Sequence, residues 1–149
     1  MQVKEVKPIN FLFFQATTTV QELSNYLSIA EELYQEAARL RLRVTGPVHW
    51  HYEGFTDHLN PFKLSIAIPI AEIPQNYDGP FHIKRTDGFK CIATTHEGSW
   101  YDIPTTYARL MEYVSMNQLV PKGTNRELYI NVDFNNPEAN YTEIQLGIV

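Results

Sequence analysis

One cysteine, Cys91, is the only thiol in the 149 residues. No intrachain disulfide can form, which fits a reducing compartment. No run approaches the roughly 20 apolar residues of a membrane span. The start, Met1 to Lys7, lacks a long apolar run with a small-residue cleavage site, so it does not read as a signal peptide. The expected location is the cytoplasm. Basic residues are sparse too: the formal charge is −5, and no Lys/Arg cluster exceeds Arg39, Arg41 and Arg43. A stripe able to neutralise phosphates is missing, so direct nucleic-acid binding is not expected. No Ser/His/Asp arrangement, phosphate loop or dinucleotide fingerprint occurs. No cofactor is expected.

What is present is apolar and aromatic. Hydrophobic residues reach 44% and aromatics 13%, which excludes a disordered chain and suits a cleft for flat or greasy ligands. Ile9 to Val20 reads as a long first strand, apolar then β-branched. Tyr26, Leu27, Ala30, Leu33, Tyr34, Ala37 and Leu40 recur at helical spacing, predicting a helix over about Asn25 to Arg41. Ser24 or Ser28 would cap it, and Gly46-Pro47 would stop it. Val48 to Phe55 and Phe62 to Ile70 predict a hairpin.

The pattern then repeats. Phe89 to Thr95 reads as a strand, and Asp102 as a helix cap with Pro104 in the first turn. Tyr107, Leu110, Met111 and Val114 form a helical stripe, which Pro121 and Gly123 are expected to end. Glu127 to Asp133 and Tyr141 to Val149 predict a closing hairpin. Ala16-Thr17-Thr18 falls on Ala93-Thr94-Thr95, Leu33 on Leu110, Gly46 on Gly123 and Tyr52 on Tyr129. The reading is one α+β domain, residues 1–149, duplicated from a βαββ module. Half 1 covers about 9–70 and half 2 about 89–149. The linker, about 71–88, is rich in Pro, Gly and polar residues from Ile73 to Asp87. A half of about 70 residues buries too little surface to stand comfortably alone.

His96-Glu97-Gly98-Ser99-Trp100, then Ile103, Tyr107 and Leu110, resembles the strand-to-helix entry of GyrI-like small-molecule-binding domains. Arg126-Glu127-Leu128-Tyr129, Asp133, Asn136-Pro137 and Thr142-Glu143-Ile144 resemble that family's closing hairpin. Gly46-Pro47, Tyr52 and Ile66-Ala67-Ile68-Pro69-Ile70 resemble its first hairpin. The resemblance implies a pseudo-twofold βαββ pair, an antiparallel sheet with both helices on one face, and a cleft between the halves. It also implies a small organic ligand, often aromatic or cationic. Family members include effector-binding domains of multidrug-sensing regulators, stand-alone forms, and enzymes that hydrolyse reactive molecules with a glutamate. The expectation here is the stand-alone form, with no room for a helix-turn-helix beside the repeat.

Glu127 carries most weight. Strand alternation puts Leu128, Ile130 and Val132 on one face and Glu127, Tyr129 and Asn131 on the other. The first set is expected under the helices, and the second faces away, where the resemblance places the cleft. A carboxylate beside rings attracts an organic cation. Trp50 and Tyr52 match Glu127 and Tyr129 in the repeat and would line the same cleft. That register turns His49, His51 and Glu53 toward the helices, at a cost for polar groups without partners. A one-residue slip would reverse every side chain, so both placements stay open. His49-x-His51-x-Glu53 also raises zinc or iron, but no further ligand cluster supports it, and no metal is expected. Trp100 is placed near the cleft by the resemblance; the alternative is a ring that plugs the core.

Three functions follow from these residues. The leading one is a sensor or sequestering domain, with Trp50, Tyr52, Trp100 and Tyr129 as stacking surface and Glu127 as anchor. The second is a hydrolase with Glu127 as general base. The third is a protein-interaction module that has lost its pocket, with a homodimer or another protein as partner.

Overall fold

The computed structural model describes residues 1–149. One eight-stranded antiparallel sheet carries the chain, with two α-helices packed on it. In chain order the strands are β1 (Gln2–Val6), β2 (Asn10–Thr18), β3 (His49–Glu53), β4 (Phe62–Pro69), β5 (His82–Arg85), β6 (Phe89–Glu97), β7 (Pro121–Asn131) and β8 (Tyr141–Ile148). Helix α1 spans Ile29–Arg39 and α2 spans Ile103–Met116. No helix is long and apolar enough to cross a membrane.

The strand order is β1-β6-β8-β7-β3-β4-β2-β5. It reads outward in the same way from the central β3–β7 pair. On one side lie β4, β2 and β5; on the other lie β8, β6 and β1. Helix α1 buries Leu33 and Ala37 against Leu12, Leu64, Ile66 and Ile68. Helix α2 buries Leu110 and Val114 against Ile92, Ile144, Leu146 and Ile148. The two helices close with the same hydrogen bonds. After α1, Leu42 N donates to Ala37 O (2.8 Å) and Arg41 N to Ala38 O (3.1 Å). After α2, Leu119 N donates to Val114 O (3.0 Å) and Gln118 N to Ser115 O (3.3 Å). The turning residues, Arg41 (φ 57°) and Gln118 (φ 55°), are left-handed, the conformation this closing motif requires.

Several boundaries differ from the sequence reading. The first helix does not start at Asn25: a 3₁₀ segment, Val20–Tyr26, precedes α1. Ser28 occupies the cap position of α1, but its hydroxyl makes no cap bond. Arg41 ends the helix several residues before Gly46-Pro47. The stretch read as a linker, 71–88, carries β5, which pairs with β2 from Asn10↔Arg85 to Phe13↔His82. Its counterpart β1 lies before the first expected strand and pairs with β6. Both are short edge strands of mostly polar residues, which periodicity alone does not mark. Each is donated across the molecule: β1 precedes β2 but pairs with β6, and β5 precedes β6 but pairs with β2. The crossing points are clipped together by Thr86 N donating to Ile9 O (2.8 Å) and Ile9 N to Thr86 Oγ1 (3.1 Å).

Candidate functional site

The β3–β7 pair positions the site. Its register sets Trp50 opposite Glu127 and Tyr52 opposite Asn125. Directly paired residues in a sheet share a face, so Trp50, Tyr52, Glu127 and Tyr129 project together. The same row runs on to Ile66 of β4 and Ile144 of β8.

Glu127 is 5% exposed. Three tyrosine hydroxyls donate to it: Tyr129 (2.5 Å) and Tyr52 (3.3 Å) to Oε1, and Tyr107 (2.8 Å) to Oε2. No Lys or Arg forms an ion pair with it; the three ion pairs of the chain are Lys4–Glu143, Arg39–Glu36 and Lys63–Glu53. Burial pushes the Glu127 carboxyl above its ordinary value, and the three hydroxyls pull it back. The tyrosines shift upward as well, first by burial and then by the adjacent negative charge.

Rings pack edge to face beside the carboxylate. Trp50 meets Tyr129 at 6.1 Å between centroids, Trp100 meets Tyr129 at 5.6 Å, and Phe134 meets Trp100 at 5.5 Å. This series leads from the carboxylate to the surface, where Phe134 is 68% exposed. Trp100 follows Gly98, whose φ of 106° favours glycine, and sits in the 3₁₀ turn before α2. Its Nε1 is buried without an acceptor.

All five residues singled out from sequence, Trp50, Tyr52, Trp100, Glu127 and Tyr129, come together here. The face is the correction. Glu127 does not point away from the helices, because Tyr107 of α2 donates to it. Leu128, Ile130 and Val132 are not under the helices: Ile130 is 51% and Val132 41% exposed. Counting hydrophobicity along β7 misplaces its faces because a carboxylate satisfied by three hydroxyls is buried while aliphatic neighbours are not. The conflict over β3 resolves for the same reason. Trp50 and Tyr52 take the Glu127 face, and His49 and His51 take the opposite one, where both pack on Phe11. His49 Nδ1 and His51 Nε2 lie 3.1 Å apart, and Glu53 pairs with Lys63 at 3.8 Å.

Two members escaped the sequence reading. Tyr107 reads as an ordinary member of the α2 stripe; a phenol hydroxyl on the buried face of a helix is the signal that a polar partner waits beneath. Phe134 sits in a loop with no periodicity to mark it. Open depressions lie elsewhere. One, about 310 Å³, borders His51, Lys84 and Arg126; another, about 530 Å³, borders His96, Asp102 and Arg109. Neither includes Glu127. Around Glu127 itself the carboxylate oxygens are occupied by the three tyrosine hydroxyls.

A family model for the GyrI-like small molecule binding domain matches residues 1–149. The chain belongs to this family. Its GyrI-like fold is similar to the C-terminal domain of EcmrR, with a TM-score of 0.85 at 17% identity over 99% of this chain and 96% of that one. The chain spans 56% of the EcmrR chain in its DNA complex. SAV2435 bound to tetraphenylphosphonium is similar at a TM-score of 0.65 and 14% identity, over 99% of this chain and 93% of that one. A hydrolase from Listeria innocua encoded by lin2189 is similar at 0.65 and 16% identity, over 99% and 91%. At these identities the likeness is one of fold. No curated protein matches the chain.

Proposed function

We propose that this GyrI-like domain binds an organic cation with an aromatic or amphipathic body, as a sensor or a sequestering protein in the cytoplasm. One observation carries the reading. Glu127 is a buried carboxylate with hydrogen-bond donors but no cationic partner. Retaining such a group is expensive unless something repays it. A cation entering the site would meet negative charge in a medium that screens little, beside ring faces that attract it further. Trp50, Tyr129 and Trp100 supply the stacking area, with Trp100 and Phe134 as the rings that must part. That SAV2435 binds tetraphenylphosphonium supports this ligand class.

The reading includes a duplicated molecule. Both helices would lie on one sheet face and the site between two pseudo-equivalent halves. The identical closing bonds after Arg39 and Met116 support it, as does the row Ile66–Trp50–Glu127–Ile144, which joins residues packed on α1 to residues packed on α2.

A hydrolytic reading keeps one observation in its favour, the raised pKa of Glu127, which suits a general base. Against it, three hydroxyls already occupy the oxygens a water would need. Titration with tetraphenylphosphonium, followed by tryptophan fluorescence, tests the binding reading. Saturable quenching supports it, and an unchanged signal refutes it. Release of acid from an ester, or formation of a diol from an epoxide, lost in Glu127→Gln, would favour the hydrolase.

A further inference from the structure

On the sheet face opposite Trp50 and Glu127, a pocket of about 310 Å³ opens between β3, β7 and the chain from β5 to β6. Four cations border it: Lys84, Arg85, Lys122 and Arg126. None of the four is in an ion pair. Of the two carboxylates at the rim, Glu53 is taken by Lys63, and Asp87 is exposed. His51 adds no positive charge, since burial holds it well below its ordinary pKa.

Arg126 is the unusual member. It is 5% exposed, and its Nε and Nη1 are buried with no acceptor. Its cross-strand neighbour Gln145 is neutral and leaves its own Oε1 without a donor. The guanidinium lies over the Phe89 ring at 4.0 Å, and the Lys122 ammonium over the same ring at 5.3 Å. Lys84 lies over Phe13 at 4.5 Å. Ring faces offset only part of the cost of burying a cation. Arg126 is held down to about 10 by that burial, and Lys84 is lowered for the same reason. An arginine kept charged, desolvated and without an acceptor is a prepared half of an arginine–oxyanion pair.

We propose that this pocket is a second ligand site, which takes a compact oxyanion, a phosphate ester or a polycarboxylate, on Arg126 with Lys84 and Lys122 completing the charge. Four cations at the rim, against Asp87 as the one carboxylate there without an ion pair, favour a di- or trianion over a monoanion. The site stands apart from Glu127 and takes charge of the opposite sign.

The test is calorimetric titration of the full chain with pyrophosphate and with citrate, at ionic strength matched with chloride. We expect saturable one-to-one binding of at least one of them, stronger than about 1 mM. Preference for pyrophosphate assigns a phosphate ester, and preference for citrate a polycarboxylate. Arg126→Met should weaken binding more than tenfold. Lys122→Ala, at an exposed position, cannot be explained by misfolding and should weaken it several-fold. Tetraphenylphosphonium binding should be unchanged in Lys122→Ala. No saturation with either anion, or affinities unmoved by both Lys122→Ala and Lys84→Gln, would overturn the proposal.

Discussion

Glu127 concentrates the chemistry at the scale of single residues. Glu127→Gln keeps the shape and removes the charge. Loss of the charge should weaken binding of tetraphenylphosphonium by about 2 kcal/mol, the attraction of unit charges about 8 Å apart at an effective dielectric constant near 20, with neutral aromatic ligands affected much less. Fluorescence titration of both proteins checks this, and equal affinities would remove the anchor role. Affinity for a permanent cation should also rise with pH as Glu127 ionises, through a midpoint above the ordinary 4.5, since burial raises it. The same shift has a sign for stability. The Glu127 contribution is full below 4.5 and is lost as pH rises through its folded pKa. His49 and His51 act in the opposite sense. Burial holds His49 at about 3 and His51 well below 6.5. Their contribution is full above 6.5 and falls as pH drops toward 3, because the unfolded chain takes up protons the fold refuses. Each histidine should cost up to about 1.4 kcal/mol per pH unit in that window. Urea unfolding at several pH values reads the net slope, and no loss of stability between about pH 6.5 and about pH 5 would count against buried neutral histidines.

The helix ends are informative among the elements. Both α1 and α2 stop at a left-handed residue that is not glycine, Arg41 and Gln118, and both residues are exposed. A side chain in that conformation costs roughly 1–2 kcal/mol, part of which glycine returns to the unfolded chain as entropy. Gln118→Gly should therefore stabilise the protein by about 0.5–1 kcal/mol, and Arg41→Gly by a similar amount. Denaturant midpoints check both. A loss of stability in either would mean that the side chain does more than turn the chain.

At the scale of the molecule, the exchanged edge strands decide how the protein unfolds. β1 is the N-terminal strand but completes the sheet edge beside β6, and β5 does the same for β2. Neither half of the sheet is complete without chain from the other. One cooperative transition is expected, with calorimetric and van't Hoff enthalpies equal. Removing residues 1–7 should destabilise the distant half first. Hydrogen exchange should show lost protection in β6 (Phe89–Glu97) while β2 keeps its own. Unchanged protection in β6 would mean that the swap contributes nothing.

Much of this was legible in residue order. The helical stripes through Leu33 and Leu110 and the strands beside them follow from local periodicity, a short-range signal that the chain alone carries. The gathering of Trp50, Tyr52, Glu127 and Tyr129 was expected from matching the two parts of the chain, and that of Trp100 from the family resemblance. The edge strands β1 and β5 were not legible, because polar edge strands lack alternation and take their identity from the partner they meet. The faces of β7 were not legible either. Alternation says that Glu127 and Leu128 oppose each other but not which one the helices cover. That choice was made by Tyr52, Tyr107 and Tyr129, brought from three elements to one carboxylate. Burying this carboxylate costs less when such donors converge, and their convergence is a property of tertiary structure.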